Sequence, residues 1–115
     1  MTLKADRVAL AAQITTALAG LPGVNVLAYD PPMVSGDLVT VATAGLTAVE
    51  HQLAVRVYVG AVQSAEGQDL LDDVVDALEA SALSSVPRSD WRMVYDQVKG
   101  AFLMATTVDY PREDW

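Results

Sequence analysis

Six carboxylates and no basic residue occupy residues 57–87: Glu66, Asp69, Asp72, Asp73, Asp76 and Glu79. On a helix all six share one face, and Asp69, Asp72, Asp73 and Asp76 have the i, i+3, i+4 spacing that lets side chains converge on a cation. Calcium loops, however, take alternating oxygens from an irregular backbone, whereas this segment reads as a regular helix. A solvated or partner-facing helix is the better reading. Like charges at this spacing repel by about 0.2–0.5 kcal/mol a pair, so the face costs stability. Solubility alone would mix Lys or Arg into it.

The remaining chemical inventory is thin. His51 is the single histidine, and beside Glu50 it reads as a surface residue at a strand edge. A triad or a ligand set needs partners that its neighbours do not supply. Ser35-Gly36-Asp37 lacks the flanks of a nucleophile elbow and reads as a turn. Gly20 and Gly23 follow a helix instead of joining a strand to one, so they form no phosphate loop. The absence of cysteine excludes disulfides, thiolate zinc sites and thiol nucleophiles. The expectation is therefore an interaction protein without catalytic residues, metal or cofactor.

Composition sets the frame for the elements that carry these residues. A chain of 115 residues with 52% apolar content builds one domain, 1–115, around a real core. Aromatic content of 6% means a core of Val, Leu and Ala. A net charge of −8 argues against a surface that grips nucleic acid, though not against one that nucleic acid passes. Lys4, Arg7 and the run ending Ala17-Leu18-Ala19 have the outline of a signal peptide, but Asp6, Gln13, Thr15 and Thr16 interrupt it. Leu3, Leu10, Ile14, Ala17, Leu18 and Leu21 form a helical stripe instead. No stretch approaches the ~18 apolar residues of a membrane span.

The first helix is predicted from Leu3 or Lys4 to Ala19, stopped by Gly20, Pro22 and Gly23. Strands follow at Val24–Tyr29, ended by Asp30-Pro31-Pro32, and at Leu38–Thr43, with Ala44–Thr47 as a loop. Gln52–Ala61 is the clearest strand: Leu53, Val55, Val57, Val59 and Ala61 point one way, Gln52, Arg56 and Tyr58 the other. Ser64 caps the acidic helix, whose Leu70, Leu71, Val74, Val75, Leu78 and Ala82 form its apolar side and which fades near Leu83. Trp91–Asp96, a Lys99-Gly100 turn and Ala101–Tyr110 make a closing hairpin, before a charged tail, Arg112–Trp115. Trp91, Tyr95, Phe102 and Tyr110 read as hairpin core or cross-strand pairs. The order α-β-β-β-α-β-β predicts an α+β domain: one mainly antiparallel sheet of about five strands with two helices packed on a face.

Several segments together resemble a known family. They are Leu3-Lys4-Ala5-Asp6-Arg7, Leu21-Pro22-Gly23-Val24 leading to Tyr29-Asp30-Pro31, and Gly36-Asp37-Leu38-Val39-Thr40-Val41. The pattern continues through Val55-Arg56-Val57-Tyr58-Val59, the acidic helix and Val86-Pro87-Arg88-Ser89-Asp90-Trp91, and ends at Val108-Asp109-Tyr110-Pro111-Arg112-Glu113-Asp114. Over nearly its whole length the chain resembles the tail-terminator proteins of long-tailed phages that infect actinobacteria. The resemblance implies a virion protein without an active site, forming a hexameric ring on the head-proximal end of the tail. Such a ring stops tube polymerisation, contacts the major tail tube protein and a head-closure or connector protein, and lets genomic DNA pass without binding it.

A ring subunit needs side contacts and axial contacts. Met33, Val34, Leu46 and Val49 are apolar for loop positions and suit such contacts. Leu103, Ala105 and Thr107 lie on the second apolar face of the last strand, where a neighbouring subunit could cover them. Arg56 and Arg92 sit mid-strand and are expected to pair with acids of another strand or subunit. The alternatives are another neck component and, from a different class, a small ligand-binding domain with a closed apolar pocket.

Overall fold

A computed structural model describes residues 2–84 and 86–111; Ser85 and the charged tail Arg112–Trp115 lie outside the described residues. The chain runs α1 (Leu3–Ala17), β1 (Val24–Leu27), β2 (Asp37–Leu46), β3 (Glu50–Tyr58), α2 (Ala65–Ala80), β4 (Arg92–Asp96) and β5 (Ala101–Pro111). It is an α+β fold with the expected element order. The five strands form one sheet in the order β1-β2-β3-β5-β4. Every neighbouring pair is antiparallel except β1 and β2, which run parallel.

Both helices cover the same face. Val39 and Val41 of β2, Leu53, Val55 and Val57 of β3 and Val108 of β5 meet Leu10, Ile14 and Leu18 from the first helical segment and Leu71, Val74 and Leu78 from the second. The strand side chains alternate with period two and the helix side chains recur every three or four residues, so one apolar layer serves both. On the opposite face Leu38, Tyr58 and Leu103 form a smaller cluster, against which Leu27, Val34, Ala101 and Ala105 pack. A parallel β1–β2 pair requires a crossover, and residues 28–36 make it over this helix-free face.

The caps account for the helix starts. Thr2 Oγ1 accepts from Ala5 N at 3.1 Å, and Ser64 Oγ accepts from Gly67 N at 3.0 Å. The first helix ends at Ala17, short of the predicted Ala19. There Thr15 and Thr16 turn their hydroxyls back onto the carbonyls of Ala11 and Ala12, and a tight turn from Leu18 to Leu21 takes over. The second ends at Ala80, before the predicted Leu83.

Several strand boundaries also differ from expectation. The predicted loop at Ala44–Thr47 belongs largely to β2, because a bulge between Thr43 and Gly45 lets pairing continue to Gly45↔Gln52 and Leu46↔His51. The first strand stops at Leu27 because the crossover begins there, and β3 stops at Tyr58. Among the described residues no helix is long and apolar enough to cross a membrane.

Candidate interaction surface

The closing hairpin carries the most exposed apolar residues near one edge of the sheet. Met93, Val94, Tyr95, Val98 and Phe102 are all exposed, and Val98 is 90% accessible. Register places Met93 and Tyr95 beside Met104 and Phe102 on the helix-bearing face, and Val94 beside Leu103 on the other. The strand therefore shows apolar side chains on both faces. Tyr95 and Phe102 stack across the ladder with centroids 4.8 Å apart, tilted by 59°.

The turn beneath them is fixed by hydrogen bonds. Asp96 Oδ1 accepts from Val98 N at 3.0 Å and Lys99 N at 3.1 Å, and Gly100 takes the left-handed conformation with φ of 64°. The backbone N–H of Lys99 is the main reason the Asp96 carboxyl is held below its ordinary pKa.

An ionic network ties this turn to the crossover. Asp30 accepts from Arg56 Nη1 at 2.7 Å, Lys99 Nζ at 3.0 Å and the Tyr58 hydroxyl at 3.4 Å. Lys99 Nζ also reaches Asp96 Oδ2 at 3.4 Å. Burial disfavours the Lys99 ammonium, but its hydrogen bond to Asp30 and the surrounding negative charge outweigh that and raise its pKa. Burial, then the charge of Asp30, raises the Tyr58 hydroxyl. Beside the network an open cleft of about 680 Å³ runs between Val34, Tyr58, the Gly60–Ser64 turn and the hairpin residues Tyr95 and Phe102. Its openness does not match the closed pocket expected of a small ligand-binding domain.

The predicted interface residues separate into groups. Met33 is 82% accessible, and Leu46 and Val49 are exposed at the β2–β3 end of the sheet, with Leu46 in a strand. Val34 packs against the smaller cluster. Leu103 is 4% exposed, covered by its own chain, so it is core and not a free contact surface; Ala105 and Thr107 beside it are half-buried. Arg56 finds its acid in the crossover loop of its own chain, not on another strand or subunit. Arg92 opens β4, is exposed, and forms no salt bridge among the described residues.

Two further placements correct the sequence reading. His51 is not a surface residue but 2% exposed, with Nδ1 2.5 Å from Oδ2 of Asp6, itself buried in the first turn of α1. Its strand position puts it on the helix-bearing face opposite Tyr110, whose buried hydroxyl has no partner among the described residues. Burial, and secondarily the Asp6 charge, raises the Tyr110 pKa. On α2 the acids Glu66, Asp69, Asp72, Asp73 and Asp76 are exposed, but Glu79 is answered within the chain. Arg88 forks onto its carboxylate and Trp91 Nε1 donates to it at 2.6 Å. Among the described residues no three His, Asp or Glu side chains are grouped to hold a metal ion.

Sequence reasoning missed Asp30, Lys99 and Asp6, whose partners lie far along the chain. It also passed over Met93 and Val94, for which a signal existed: Met93-Val94-Tyr95 is an uninterrupted apolar run in the last strand but one. No protein-family model matches the chain, and no curated protein matches it.

Proposed function

We propose that the chain is a structural protein of a long-tailed phage virion, a tail terminator that assembles as a hexameric ring at the head-proximal end of the tail tube. The observation that carries this reading is the closing hairpin, an edge strand with apolar side chains exposed on both faces. Proteins normally blunt such edges with Lys, Pro, bulges or a covering element. An uncovered patch of this kind marks a protein–protein contact. Met33, in the crossover that the Asp30–Lys99 bond ties to the hairpin turn, is a further exposed apolar side chain away from the β4 edge. A ring subunit needs both kinds of surface, one for its neighbours and one for the tube or the head-closure protein.

In this reading the acids of α2 face outward, where their repulsion is screened. A net charge of −8 suits a ring that genomic DNA must pass without adhering. No catalytic step is assigned to it. Deleting the gene tests the proposal: filled heads with overlong, unjoined tails are expected. Tails of normal length that fail to join would replace it with a head-closure or connector role.

A further inference from the structure

The β4 sequence Arg92-Met93-Val94-Tyr95-Asp96 reads as its own complement. Two copies laid antiparallel and centred on Val94 bring Arg92 of each opposite Asp96 of the other. Met93 then meets Tyr95, and Val94 meets Val94. Arg92, Val94 and Asp96 share one face of the sheet, as their partners Ala105, Leu103 and Ala101 on β5 show, so the opposed charges meet on the same side. Arg92 is exposed and has no ion pair among the described residues. Among the described residues Asp96 Oδ2 makes only one long contact, to Lys99 at 3.4 Å, and retains acceptor capacity.

We infer that the free protein pairs with a second copy through β4, edge to edge and antiparallel, joining two sheets into one with all four helices on the same face. The contact is isologous, so it closes at two chains, whereas a ring requires head-to-tail contacts. The pair is thus a form that masks the apolar edge until ring and tube contacts replace it. The pairing rests on β4 alone; its masking role rests on the ring proposed above. The alternative of β1 as the partner strand leaves both Arg92 and Asp96 unanswered, because Val24-Asn25-Val26-Leu27 carries no charge.

The chain has no cysteine, so single introduced thiols report the contact without background. Val94→Cys, bridged by mild oxidation or a short bismaleimide, is expected to give a covalent dimer and nothing larger, while Asn25→Cys on the β1 edge gives none. Light scattering of the unmodified protein is expected to show a two-chain species that falls apart in Arg92→Asp at least tenfold more readily, with circular dichroism unchanged. A Val94→Cys chain that does not cross-link, a dimer insensitive to Arg92→Asp, or cross-linking of Asn25→Cys with Val94→Cys in a mixture overturns the inference. If pairing is found but deletion leaves tail length normal, the pairing stands and the terminator role falls. Overlong tails with no pairing give the reverse.

Discussion

His51 Nδ1 stands 2.5 Å from Asp6 Oδ2, a buried contact between the first turn of α1 and the start of β3. Among the described residues it is the one hydrogen bond that joins α1 to the sheet. Removing one partner leaves the other buried polar group unsatisfied, which typically costs about 1–3 kcal/mol. Asp6→Ala and His51→Ala are each expected to lose stability on that scale in urea titrations. The double replacement Asp6→Leu with His51→Leu should recover much of the loss, because replacing both partners of a buried hydrogen bond by apolar groups strands neither. Additive losses in the double variant would show that the two residues act separately.

What the sequence disclosed follows from local physics. The alternation of Leu53, Val55 and Val57, and the three-to-four spacing of Leu71, Val74 and Leu78, are local patterns, and the core is built from those residues. Ser64 was legible as a cap for the same reason. The parallel pairing of β1 was not, since it depends on where the crossover lands. Nor was Leu46, because a bulge extends pairing through residues whose composition suggests a loop. The Asp6–His51 and Asp30–Lys99 bonds span 45 and 69 residues, and no periodicity encodes a contact at that distance. The interface reading placed Leu103 outward because both faces of β5 are apolar; the crossover, unseen in sequence, buries one of them.

Alkaline pH should weaken the fold. The hydroxyls of Tyr58 and Tyr110 are raised by burial first and by nearby carboxylates second. The Lys99 ammonium is raised because its carboxylate partners outweigh its burial. Unfolded, these groups lose their protons near pH 10, while the folded chain still holds them. Stability from all three is therefore complete below about pH 10 and falls as pH climbs through the higher folded values. Urea midpoints measured between pH 9 and pH 11.5 should drop, and Tyr58→Phe with Lys99→Met should flatten the slope. An unchanged slope in that variant would exclude the network as its source.

Gly67 is expected to tolerate no side chain. It sits in the first turn of α2, and a Cβ there would overlap the carbonyl oxygen of Ala61. Both partners are backbone, so relief requires moving the helix start, and with it the Ser64 cap on Gly67 N. Overpacking of this kind costs about 1–3 kcal/mol, and loss of the cap about 1 kcal/mol more. Gly67→Ala should lower the urea midpoint accordingly, against the general helix preference for Ala over Gly. A stabilised variant would mean that the turn before α2 can shift at no cost.

Met33 and Val98 separate folding from assembly. At 82% and 90% accessible they touch little of their own chain, so Met33→Asp and Val98→Asp should change stability by no more than about 0.5 kcal/mol. If these two side chains are contacts for the tail tube or the head-closure protein, each buried carboxylate would be left without a partner in the assembled state. The double variant should then fold as the parent does, by circular dichroism and urea titration, yet fail to restore tail length or head joining to phage lacking the gene. The same pair changed to Leu should complement fully, because the apolar surface is kept. Complementation by the Asp variant would remove Met33 and Val98 from the assembly surface and leave Met93, Val94 and Tyr95 of β4 to carry the contacts.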